Sequence, residues 1–156
     1  MTTSFNTALD RLVVLIETDA PLQNFAMAKW QKRFTVKRKF LKRGPIHNTE
    51  LPLIMITRPD VEKEFLIGGG RQKKNTVRLY VQFLQDDPEK AQSEVVSVEE
   101  LLDTCLGETN YRIKDANGIP LVKRVSPGDS ANDEGLFHPA YLMVMEIEIE
   151  ENKPGH

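Results

Sequence analysis

The sequence predicts an α+β fold, a mainly antiparallel sheet with two helices packed on one face. Two observations carry that expectation. Helical and strand periods follow one another in the order helix, strands, helix, hairpin, strand, and most connections are short enough for antiparallel pairing. The 156 residues, 40% hydrophobic and 28% charged, also suit one domain large enough to bury its own core. The expected layout is a single domain over residues 1–151, with 152–156 as a C-terminal tail.

Each element has its own signal. Phe5, Leu9, Leu12, Val13 and Ile16 form one apolar stripe at helical spacing; Thr3 or Ser4 can cap its start, and Ala20-Pro21 bars continuation beyond Asp19. A short turn or helix through Leu22, Phe25 and Met27 follows. Phe34, Val36, Arg38 and Phe40 then alternate with Thr35, Lys37 and Lys39, the period of a strand with a cationic face. Leu51–Thr57 is a dense apolar run with Pro52 at its start, where a proline deletes no central ladder bond, and Arg58-Pro59-Asp60 is expected to close it. Glu62–Ile67 and Asn75–Leu84 flank Gly68-Gly69-Gly70 and read as a hairpin. The second arm sets Val77, Leu79, Val81 and Phe83 on its core face.

After Gln85-Asp86-Asp87-Pro88, Ser97 and Glu100 have the spacing of a capping box, and Val98, Leu101, Leu102 and Cys105 give a buried stripe ending at Gly107. Asn117-Gly118 predicts a tight turn joining Tyr111–Lys114 to Ile119–Val125, and Ser126–Glu134 reads as a polar loop. The last strand, Ala140–Glu150, alternates Tyr141, Met143, Met145, Ile147 and Ile149 with a face ending in Glu146, Glu148 and Glu150.

Composition excludes several classes. One cysteine, Cys105, rules out an internal disulfide framework and a cysteine-rich zinc module. No apolar run approaches the ~18–20 residues of a membrane span, so no membrane partner is expected. Met1–Phe5 lacks the basic start and small-residue cleavage site of a signal peptide, and the expectation is a domain of a reducing compartment. Net charge is only -2, but residues 1–79 carry 15 Lys and Arg against 7 Asp and Glu, while residues 80–156 carry 6 against 16. Such polarity suits a polyanion ligand, or copies of one chain meeting head to tail.

Catalytic constellations are missing. His47, His138 and His156 lie far apart, none beside a carboxylate or cysteine at metal-ligand spacing, and His47 and His138 read as exposed loop residues. Cys105 reads as a buried thiol. The Gly68–Lys74 stretch fails as a phosphate loop because a strand follows it, and it reads as a basic hairpin tip able to contact a partner. Glu146, Glu148 and Glu150 step ~7 Å apart along one strand face and cannot converge on one ion. The chain is therefore expected not to be an enzyme and to need no cofactor or metal.

The basic window 29–43 can track phosphates, with Trp30 to stack on a base, so a small basic-faced nucleic-acid-binding module is the alternative reading. Its calculated pI of 6.0 argues against that, since dedicated nucleic-acid domains sit above ~9. An intermolecular contact between a basic and an acidic strand is heterologous, and repeated with rotation it closes a ring. The interface residues this singles out are Lys37, Arg38, Lys39, Lys42 and Arg43, with Arg71, Lys73 and Lys74 at the hairpin. Their expected counterparts are Glu146, Glu148 and Glu150 or the acids of residues 86–108.

The order of segments resembles the tail-terminator (tail-completion) proteins of long-tailed bacteriophages. The matching features are the amphipathic helix Phe5–Ile16, the strand Leu51–Thr57 with its proline, and the alternating strand Thr76–Leu84. The helix after Pro88 and the closing strand Ala140–Ile147 behind Asp133–Phe137 complete the pattern. The resemblance implies an α+β subunit of a hexameric ring that caps the head-proximal end of the tail tube. It implies a tail tube protein and a head-completion or connector protein as partners, and DNA passing through the lumen. It also implies a virion location at the head–tail junction after assembly in the bacterial host cytoplasm, and it brings no catalytic residues.

Overall fold

The computed structural model describes residues 4–38, 51–65, 71–107, 113–114, 117–118, 122–132, 134–135 and 138–151. The fold is α+β, with a mixed, mostly antiparallel sheet and three helices. Helix α1 spans Ser4–Glu17 and α2 Ala20–Trp30, followed by strands β1 Thr35–Arg38, β2 Leu53–Phe65 and β3 Arg71–Leu84. Helix α3 runs from Pro88 to Gly107, and β4 (Val122–Asn132) and β5 (Ala140–Glu151) complete the order. The sheet runs β1-β2-β3-β5-β4; β1 pairs β2 in parallel and every other neighbour is antiparallel.

Four expectations change, each for a local reason. The short turn or helix expected through Leu22, Phe25 and Met27 is a full helix, Ala20–Trp30. Asp19 caps it, accepting from the Leu22 N–H at 3.1 Å, and proline sits in its first turn where no N–H is needed. Hence three helices replace the expected two. Helix α3 begins at Pro88, not at Ser97. The Asp87 carboxylate accepts from the Glu89 N–H at 3.0 Å while the Asp87 carbonyl takes the first helical bond from Ala91, so the capping-box spacing falls mid-helix. Arg58-Pro59-Asp60 does not close β2: the register shifts between Thr57 and Asp60, and pairing with β3 resumes to Phe65. A bulge absorbs the residue that cannot donate to the ladder. Ser126–Asn132 is likewise strand, held against β5 through a register shift between Pro127 and Ser130.

The alternating strands behave as their spacing requires. Val77, Leu79, Val81 and Phe83 of β3 and Met143, Met145, Ile147 and Ile149 of β5 are buried in one core with Leu12, Ile16, Leu22, Val98 and Leu102 from the helices. A second, smaller cluster of Leu51, Leu53 and Met55 lies on the sheet's other face, with Tyr80 and Leu84 packed against it. Cys105 is buried. Among the described residues, no helix is long and apolar enough to cross a membrane.

Candidate functional site

Of the residues singled out at the basic pole, Lys37 and Arg38 lie on β1, the first edge strand. Lys39, Lys42 and Arg43 lie outside the described residues, as does the Gly68–Gly70 tip. Val36 is buried, while Lys37 and Arg38 are exposed. Arg38 is tied to its own chain. Its Nη1 donates to Asp10 Oδ1 at 2.7 Å and its Nη2 to Asn6 Oδ1 at 2.8 Å, so the planar guanidinium clamps β1 to α1. This ties Arg38 down without removing its charge from the surface.

The acidic row on β5 is also engaged within the chain. Backbone register sets Arg78 opposite Glu146 and Lys74 opposite Glu150. Arg78 Nε donates to Glu146 Oε1 at 2.9 Å, and Lys74 Nζ lies 4.0 Å from Glu148 Oε1. Glu146 first, then Tyr80, holds the Arg78 guanidinium above its ordinary value. Glu150 is buried and Glu148 exposed. Arg71 and Lys73 open β3, opposite Phe65 and Lys63 in the register.

Among the described residues, the acids of helix α3 form no ion pair. The Asp103 carboxyl is pushed up, first by burial and then by the like charges of Glu99 and Glu100, four and three residues back along the helix. Sequence reasoning had grouped these acids only as part of residues 86–108. It missed Glu94, which is 3% exposed, because helical period does not separate it from the apolar stripe. Glu94 Oε1 accepts from Gln85 Nε2 at 2.7 Å and Oε2 is buried with no hydrogen-bond partner.

Trp30 is not presented to a base. Its ring packs edge-on to Phe25 and Phe34 and against Phe83 at a 4.9 Å centroid distance, and its indole N–H donates to the Leu84 carbonyl at 2.9 Å. His138 is exposed as expected, but its Nδ1 lies 2.6 Å from the Tyr141 hydroxyl. These two residues and Gly135 line a groove of about 530 Å³ against Gln92, Val95 and Val96 of α3. Among the described residues, no group of three or more His, Cys, Asp or Glu side chains is placed to hold a metal ion.

Both sheet edges are poor templates for strand addition. Strand β1 is four residues long and bears Lys37 and Arg38, while β4 is broken by two register shifts and contains Pro127. No protein-family model matches the chain, and no curated protein does.

Proposed function

We propose that the protein is a non-enzymatic phage or prophage tail terminator. In this reading it forms a ring, hexameric by resemblance, that caps the head-proximal end of the tail tube, stops its growth and offers the head-joining surface. The observation that carries the reading is the charge layout on the folded chain. A basic pole at the end of α2 and on β1 stands with an acidic face on α3, where Glu99 and Glu100 still raise Asp103. Head-to-tail contact between copies relieves that repulsion, and a head-to-tail contact that closes makes a ring. Because Glu146 and Glu148 are already paired with β3, the α3 acids are the stronger counterpart for the basic pole.

Tube-length measurement tests the proposal directly. Purified chain added to polymerising tail tube protein is expected to bind tube ends as a ring and arrest growth, with mass photometry giving the copy number. Tubes that lengthen at an undiminished rate with the chain present overturn it. The nucleic-acid reading predicts instead a monomer whose DNA affinity falls steeply between low and physiological salt; the enclosed Trp30 weighs against that.

A further inference from the structure

Helix α2 is uncharged on both of its sides. Leu22, Gln23 and Ala26 are buried, while Pro21, Asn24, Met27 and Ala28 on the other side are exposed, Met27 at 47%. No charged residue occurs from Ala20 to Ala28. A helix bounded by water carries charges on its outer side, as α1 does with Asp10, Arg11 and Glu17, whereas a helix apolar all round is a covered one. The charges of α2 come at its end, where Lys29, Lys32 and Arg33 are exposed.

The groove beside α3 complements that helix. Pro88, Val95, Val96 and Tyr141 give it an apolar lining, with Val96 51% exposed, and the exposed Glu134 lines it too. Gln92, Val96, Glu99 and Asp103 follow one another at four, three and four residues on one stripe of α3, so this side turns acidic past Val96. The groove also faces away from α2. Trp30 of α2 donates to the Leu84 carbonyl, and the next residue, Gln85, donates to Glu94. Gln92 and Val96, each two residues from Glu94, point about 160° away from it around the helix.

We propose that this groove receives the outer side of α2 from a second copy of the chain, with Met27 seated on Val96, as the apolar centre of the head-to-tail contact. The inference rests on the ring reading and supplies what charge does not, since exposed ion pairs set orientation more than affinity. A groove of about 530 Å³ holds more than one side chain, and Met27 and Ala28 with Asn24 one turn earlier are anchors at the spacing by which a helix is recognised in a groove. Laid in the same direction as α3, α2 carries its basic end toward Glu99 and Asp103 of the next copy; reversed, it sets Asp19 against those acids. Charge thus selects one direction. Because the helix face and the groove lie on opposite sides of α3, the contact is heterologous and repeats from copy to copy. An eleven-residue helix, about 16 Å long and about 10 Å wide, covers less than the roughly 800 Å² per partner of a standard interface. The basic pole meeting the α3 acids forms the polar rim around this centre.

Cysteine pairing across copies tests it. A chain carrying both Met27→Cys and Val96→Cys is expected, once oxidised, to run on a non-reducing gel as a covalent ladder ending at the copy number of the ring. Each single variant alone is expected to stay unlinked, and a 1:1 mixture of the two to give linked pairs; the native Cys105 is buried and forms no link. Met27→Glu is expected to weaken assembly at least about tenfold, whereas Val14→Glu, at a position 50% exposed on α1, should leave it unchanged. Should Met27→Glu unfold, which circular dichroism reports, the cysteine pair carries the test. A Met27→Cys chain that links to itself overturns the contact, because it sets α2 on α2. A wild-type ring in which the cysteine pair stays unlinked, or which Met27→Glu leaves intact, overturns the contact and keeps the ring. A wild-type chain that stays monomeric at about 100 µM, alone and with tail tube protein, overturns both.

Discussion

At the scale of single residues, two side chains have consequences that can be measured without any partner. Arg38 grips Asp10 and Asn6, but its side chain is 31% exposed and that of Asp10 62%, so water screens the pair. Arg38→Ala is expected to lower stability by about 0.5–1 kcal/mol, and a double-mutant cycle with Asp10→Ala should return most of that as coupling. Additive losses would show that the two residues act separately. Glu94 works in the opposite sense. Burial pushes its carboxyl up, while the Gln85 hydrogen bond and the charges of Lys29 and Lys90 pull it down less strongly. The folded chain therefore holds this proton more tightly than the unfolded chain, and stability falls as pH rises from the unfolded carboxylate range through the folded value. Glu94→Gln removes the ionisation and is expected to stabilise the fold at about pH 8 but not at about pH 4, below the ordinary carboxylate value. Urea denaturation at the two pH values reads the difference, and equal stability of variant and wild type at the higher pH would mean that Glu94 ionises there without penalty.

At the scale of elements, the start of α3 separates local pattern from actual placement. Ser97 and Glu100 have capping-box spacing, yet Asp87 holds the free N–H groups ten residues earlier. Asp87→Ala is expected to cost about 1 kcal/mol, whereas Ser97→Ala, inside the helix, should be neutral or stabilise by a few tenths. Thermal denaturation of the two variants distinguishes the two starts. The same contrast shows what the sequence reveals and what it hides. Periodicity located α1, the long arm of β3 and all of β5, because each buries one regular stripe against the core. It failed at Arg58-Pro59 and Ser126–Asn132, where breaker residues sit in strands that neighbours on the sheet hold through register shifts. Tertiary pairing overrides local propensity there. The parallel β1–β2 pair was hidden too, since spacing along one strand does not encode the direction of its neighbour.

At the scale of the whole molecule, the charge asymmetry was legible by counting, but not which charges the fold leaves unanswered. Counting puts Arg38 and the β5 glutamates forward as mutual partners across copies; the folded chain gives Arg38, Glu146 and Glu148 partners at home and buries Glu150. Side-chain pairing across strands depends on register, which a residue count cannot supply. What remains is the α3 cluster, and it separates assembly from stability. Glu100→Lys places a cation three residues from Asp103 and one from Glu99, replacing repulsion with attraction along the helix. The monomer should gain about 0.2–0.5 kcal/mol. If a neighbour's basic pole docks on α3, the same change sets a lysine against Lys29 and Lys37 of the next copy, and head-to-tail assembly should slow severalfold at low salt. The gap should narrow as salt screens the contact, because steering acts beyond the Debye length, about 10 Å at 0.1 M. Stopped-flow light scattering follows assembly, and calorimetry follows the monomer. A more stable monomer with slower assembly places the acidic face between subunits; a more stable monomer that assembles at the wild-type rate removes α3 from the ring contact and leaves its charge facing another surface.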